Sequence, residues 1–203
     1  MAIFPEELIT RSLELRAYSI AHVDVAFKAV TESRNEVRRW LWWAQGPLDE
    51  ESYKSFVRKQ AANFVTDVEW RYFIFDRFTT NLVGGCSIDL VSHGSVSANL
   101  GYWIRTSLTG QGLATHTAQL MTDAAFEYLP QISSVEISMD VANVASARIA
   151  QSSASLAWEN STSRCVHQLT AAADSSGLWS VPIGHGAIPP GPRSDRDMSI
   201  VFS

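Results

Sequence analysis

Gly110-Gln111-Gly112 stands where an apolar run ends and a helical pattern begins. Leu100 to Ile104 reads as a buried strand. Leu113 to Tyr128 reads as a helix, with apolar side chains at Leu113, Leu120, Met121, Ala124, Ala125 and Tyr128. A strand, a glycine turn and a helix N-terminus together aim free backbone N–H groups at an anion. Gly110 and Gly112 let the backbone come close to a ligand, with no Cβ in the way. The chemistry on offer is a pyrophosphate cradle made by the amides of Gln111, Gly112, Leu113, Ala114 and Thr115. Two better-known phosphate loops do not fit. The dinucleotide fingerprint needs a third glycine, and Thr115 stands there; the nucleotide-hydrolase loop needs Gly-Lys-Ser/Thr, and Leu113 follows Gly112. The plain alternative is a turn that only joins a strand to a helix.

The elements that must hold this loop follow from periodicity. Leu13 to Tyr18 alternates like a strand. His22 to Thr31 and Glu50 to Phe64 read as helices, the second capped by Asp49. Arg71 to Arg77 and Leu82 to Val91 read as strands joined by a turn at Thr79-Thr80-Asn81. Ser97 to Ile104 and Val135 to Met139 read as strands, and Val144 to Gln151 as a short helix. Antiparallel strands followed by helix-separated ones imply a mixed α/β sheet with helices on its faces.

Composition excludes several classes. With 46% hydrophobic and 18% charged residues, the 203-residue chain is globular rather than disordered, and one domain is expected. A net charge of −5 disfavours nonspecific nucleic-acid binding and suits a cationic acceptor. No apolar run has the length of a membrane span. Met1-Ala-Ile-Phe-Pro-Glu-Glu carries no basic n-region, so a signal peptide is not expected; the expected place is the cytoplasm, with Cys86 and Cys165 as free thiols. The histidines form no ligand spacing, so no metal is assigned.

Asn143-Val-Ala-Ser146 opens the short helix after Val135 to Met139. Upstream, in order, come Leu13 to Tyr18, Trp40-Leu-Trp-Trp43, Trp70 to Phe75, Leu82-Val-Gly-Gly85 and the glycine loop. Together these resemble the GCN5-related N-acetyltransferase (GNAT) superfamily, most of all its RimJ/RimL branch of protein N-terminal acetyltransferases, over about Leu13 to Gln151. The resemblance implies a GNAT fold, with a central, mostly antiparallel, twisted sheet flanked by helices and the C-terminal closing strands disrupted. It implies transfer of an acetyl group from acetyl-CoA to a primary amine by direct attack, the acceptor being a protein N-terminal α-amine. Alternatives are a small amine such as an antibiotic or polyamine, and a catalytically impaired CoA-binding protein. The oligomer is left open, a dimer included.

The resemblance also implies roles. The family's loop, Gln/Arg-x-x-Gly-x-Gly/Ala, falls on Thr109 to Ala114; Gly112 and Ala114 match, while Thr109 replaces a long polar side chain. The preceding strand, through Trp103, Ile104 and Arg105, pairs its backbone with the pantetheine arm. Asn143 bonds the pantetheine or caps the helix, and Ser146 serves the departing sulfur. Many members carry a carboxylate where this chain has Asn99, and Asn is no base. Asp89 and Glu136, on strands read as neighbours, or a water chain, are the remaining candidates. Trp40, Trp42 and Trp43 wall the acceptor cleft, or Trp40 and Trp43 are helix core.

After Gln151 the periodicity is lost, dividing a core, 1–151, from an atypical tail, 152–203. The tail is expected to be mostly irregular through Arg193, since Ile188-Pro-Pro-Gly-Pro192 cannot sit in a central strand, and to return to the sheet at 198–202 alone. One coding sequence for Gln151 to Ser155, CAA AGC TCG GCT TCG, reads from its third base as Lys-Leu-Gly-Phe, the turn such chains usually carry here. A shifted reading frame after Gln151 is therefore one expectation, and a divergent native tail the other.

Overall fold

The chain begins with two short antiparallel strands, β1 (Glu7–Ile9) and β2 (Leu13–Ala17), joined by a turn in which Thr10 binds both the N–H and the C=O of Leu13. The computed structural model describes residues 4–41, 44–64, 69–90, 95–140, 142–150, 172–173 and 178–184. Two helices follow, α1 (Val23–Val37) and α2 (Glu50–Asn63). Asp49 caps α2 as expected, its Oδ1 accepting from the Ser52 N–H at 2.9 Å. The α1 helix runs longer than its apolar pattern alone indicates.

A meander comes next: β3 (Glu69–Asp76), β4 (Leu82–Leu90) and β5 (Ser97–Ile104). The β3–β4 turn is closed by Asp76, whose Oδ1 accepts from the N–H groups of Phe78 and Thr79. Then come α3 (Leu113–Tyr128), β6 (Ser134–Asp140) and α4 (144–150). In the tail, β7 (Ala172–Ala173) and β8 (Leu178–Gly184) complete the described elements.

The sheet runs β1-β2-β3-β4-β5-β6-β8-β7. Every pairing is antiparallel except that of β5 with β6. Strand β3 is buried on both faces, as its apolar run Tyr72 to Phe75 requires. Trp70, Tyr72 and Ile74 join the core beneath α3 and α4; Phe73 and Phe75 join a second core beneath α1 and α2. The expected class, a mixed and mostly antiparallel sheet flanked by helices, is the one found.

The tail departs from expectation. Leu178–Gly184 pairs with β6 over seven register positions, from Ser134↔Gly184 to Asp140↔Leu178. So 198–202 is not the sole returning segment; that stretch itself lies outside the described residues. The prolines that argued against a strand, Ile188-Pro-Pro-Gly-Pro192, lie beyond β8. Among the described residues, β7 pairs β8 at Trp179 and Ser180, and Pro182 lies opposite Glu136 of β6.

Candidate active site

Between β5 and α3, residues Thr106–Leu108 make one tight turn, closed by Thr109, whose Oγ1 donates to the Thr106 C=O at 2.9 Å. Gly110 and Gly112 then take left-handed φ values of 77° and 75°, Gly112 as the N-cap of α3. A Cβ at either would meet nothing within 4 Å, so positive φ rather than crowding selects glycine, and the space before both is open. No side chain caps α3. The His116 N–H is the one that bonds back to Gly112 C=O, at 3.0 Å, which leaves the N–H groups of Leu113, Ala114 and Thr115 without helical partners. The turn and the uncapped helix N-terminus lie where the sequence reading puts its expected phosphate cradle. The turn is tied to α1: Arg105 Nε donates to Glu32 Oε2 at 2.9 Å, and the Thr106 N–H donates to Ser33 Oγ at 3.0 Å.

The sheet forks below this loop. β5 and β6 pair only at Ser97↔Ser134, Ala98↔Val135 and Asn99↔Glu136. Beyond that vertex β5 keeps β4 and β6 keeps β8. The Arg105 N–H bonds Val83 C=O at 2.8 Å. Antiparallel alternation then turns the backbone groups of Trp103 and Gly101 to β4, and those of Ile104 and Tyr102 into the fork. A strand edge inside the protein calls for a hydrogen-bonding partner. An extended, amide-bearing chain fits, with phosphates reaching the α3 cradle. Coenzyme A has that shape and chemistry. Of Trp103, Ile104 and Arg105, Ile104 is the one that presents its backbone to it. The Trp103 indole is core on the α1/α2 face; a Cβ at Gly85 would come within 2.7 Å of its Nε1.

α4 starts one short turn after β6. Asn143 caps it, its Oδ1 accepting from the Ser146 N–H at 3.1 Å and its C=O accepting from the Ala147 N–H at 3.1 Å. Both Asn143 and Ser146 are buried. Next to Ser146 is the phenol of Tyr102, which sequence reasoning passed over.

The carboxylates form a row. Glu69 lies opposite Asp89, Asp89 opposite Asn99, and Asn99 opposite Glu136. Residues directly opposite share a face, so the row crosses four strands at the vertex of the fork. Asp89 and Glu136 are thus not on neighbouring strands, as read from sequence; β5 separates them, with Asn99 between. Arg71, two residues along β3 and buried, pairs with Glu69 and stands 5.8 Å from the Phe56 ring of α2, which puts the row on the α1/α2 face. Ser87 Oγ donates to Asp89 Oδ2 at 3.4 Å, while Asp89 Oδ1 is sealed from solvent. Burial pushes the Asp89 carboxyl up to about 7; Arg71 pulls it down and Glu69 adds to the rise. Glu69 and Arg71 escaped sequence reasoning because only cross-strand register brings them to Asp89; Ser87 sits two residues before it on β4, on the same face.

Trp40 follows α1 in a turn rather than on the helix, half-buried, with the Arg39 guanidinium 5.5 Å from its ring. Trp42 and Trp43 lie outside the described residues. Among the described residues no helix is long and apolar enough to cross a membrane.

Comparison with known proteins agrees with this geometry. The acetyltransferase (GNAT) domain model matches residues 12–154. A ribosomal-protein-serine acetyltransferase of Escherichia coli (strain K12) is 24% identical over 113 residues, 56% of this chain and 62% of that protein, so the match spans under two thirds of the relative. RimL, a ribosomal L7/L12 alpha-N-protein acetyltransferase solved in complex with coenzyme A, superposes with a TM-score of 0.66 at 22% identity, over 89% of this chain and 94% of that one. The microcin C7 self-immunity acetyltransferase MccE, solved with acetyl-CoA and AMP, gives 0.68 at 15% identity, over 88% and 97%. The solved structures share the fold, and the family match covers well over half of the sequence: the chain belongs to the GNAT family of acetyltransferases.

Proposed function

We propose that this chain moves the acetyl group of acetyl-CoA to the α-amine of a protein N-terminus, by direct attack in the β5–β6 fork. The observation that carries the proposal is the fork itself, with an anion cradle at its mouth and a row of titratable residues at its vertex. Acetyl-CoA supplies an activated acyl group on a thiol of low basicity. The amides of Gln111 to Thr115 hold its phosphates, and the β5 edge at Tyr102 and Ile104 aligns its arm. Asp89 accepts the proton of the attacking amine through water, and the fork-facing backbone N–H groups polarise the thioester carbonyl. Ser146, on the opposite face, serves the leaving sulfur.

The acceptor follows from proton affinities. A base that titrates near neutrality matches an α-amine of pKa about 8 far better than a lysine amine of about 10.4. Ribosomal-protein acetylation by the Escherichia coli relative points the same way. An acceptor panel with thiol detection tests the reading. A peptide with a free N-terminus should release CoA, and the same peptide blocked at its N-terminus but carrying lysine should not. Turnover confined to polyamines or antibiotics would select the small-amine reading. CoA binding with no turnover of any amine would select a binding protein.

A further inference from the structure

Tyr102 is 3% exposed, and its phenol oxygen is shut off from solvent with no completed hydrogen bond. A buried hydroxyl in that state costs stability unless something uses it. Its polar neighbour is the hydroxyl of Ser146, also 3% exposed. The Ser146 backbone is pinned by Asn143 through the 3.1 Å bond to Oδ1. Its side chain remains adjustable, with one hydrogen to give and two lone pairs to offer. On β5, Tyr102 also turns its backbone groups into the fork, where the reading above runs the pantetheine arm.

We propose that Tyr102 is a positioning residue for the leaving group: its phenol donates to Ser146 Oγ and thereby aims the Ser146 O–H at the coenzyme A sulfur. The inference rests on the acetyl-transfer reading above, through the role given there to Ser146. A serine hydroxyl free to rotate spends part of its time pointing elsewhere. Donation from Tyr102 occupies a lone pair and commits the serine hydrogen to the remaining acceptor, and a chain of two hydrogen bonds strengthens each link. Burial pushes the phenol up to about 12, with Ser146 drawing it down. A thiol titrates near about 8.5, so Tyr102 stays protonated and donates a hydrogen bond without surrendering its proton.

The test is the thiol pKa of CoA bound to the protein, read from thiolate absorbance across pH; it needs no acceptor. Tyr102→Phe removes one oxygen and keeps the ring in the core. It should raise the bound thiol pKa by about half a pH unit to one unit, as should Ser146→Ala, with no further rise in the double variant. Ser146→Thr, which retains a hydroxyl, should keep the parent value only while Tyr102 is present. With a turned-over amine, Tyr102→Phe should lower kcat by roughly threefold to tenfold at unchanged KM for acetyl-CoA. Equal thiol pKa values in parent and Tyr102→Phe, or full additivity in the Ser146→Ala background, would overturn the relay. Should Tyr102→Phe not fold, an unchanged thiol pKa in Ser146→Ala overturns it equally. Loss of turnover on every amine with the thiol effects intact would instead overturn the acetyl-transfer reading.

Discussion

Asp89 shows how one residue sets both a stability and an activity profile. Its neighbours Glu69 and the buried Arg71 are fixed by the β3–β4 register and Ser87 by alternation along β4, and burial raises its folded-state pKa to about 7. An unfolded aspartate titrates near about 3.9. Between those values the folded chain holds a proton that the unfolded chain has released, so stability falls as pH rises through that window. Asp89→Asn should remove this dependence: denaturant midpoints at pH 5 and pH 8 should lie closer together than in the parent. As the proposed base, the same carboxyl must be ionised to work, so kcat/KM should climb as pH rises toward 7. The substitution should cost roughly 100-fold at neutral pH. An Asp89→Asn protein that retains both the parental pH–stability slope and the parental rate would return the proton-accepting role to Glu136 or to solvent. Sequence alone reached Asp89 as a titratable strand residue. It could not reach Glu69 or Arg71, because register is a property of pairs of strands and no single strand encodes it.

At the scale of elements, the glycine loop was fully legible and the fork was not. Strand, turn and helix succeed one another along the chain, and the two positive-φ glycines sit where local geometry demands them. The fork is defined by what β5 and β6 fail to pair, and two strands with unremarkable alternation carry no mark of it. Gly112 separates conformational need from mere spacing. Gly112→Val must place a β-branched residue at φ 75°, which costs about 1–2 kcal/mol and shifts the amides of the cradle. Gly112→Asn tolerates that φ. Calorimetry should show CoA affinity reduced roughly tenfold or more for Gly112→Val, and close to the parent for Gly112→Asn. If Gly112→Val binds CoA as tightly as the parent, the phosphates do not sit on α3.

In the whole molecule, the fork stays open because its second prong is held from outside. β6 shares three register positions with β5 and seven with β8, so the tail strand, more than the sheet core, sets where β6 runs. Without β8, β6 would be an exposed edge, open to closing on β5 or to pairing with another chain. The run Leu178-Trp-Ser-Val-Pro-Ile183 is apolar enough to be a strand, but it lacks clean alternation and stands just before Ile188-Pro-Pro-Gly-Pro192, so the whole segment read as irregular. The segment also falls inside the stretch that the coding-sequence argument assigns to a shifted frame, so its pairing bears directly on that argument. Hydrogen exchange can read both features at once. Along β5 the amides of Tyr102 and Ile104, turned into the fork, should exchange faster than those of Trp103 and Arg105, turned to β4, and should slow when CoA is added. Amides of Leu178–Gly184 should exchange in step with those of Ser134–Asp140, because the two strands open together. Exchange of Leu178–Gly184 at free-peptide rates, while β5 stays protected, would mean that the tail does not hold the prong. Sequencing the gene across the codons for Gln151 to Ser155 would then be the next measurement.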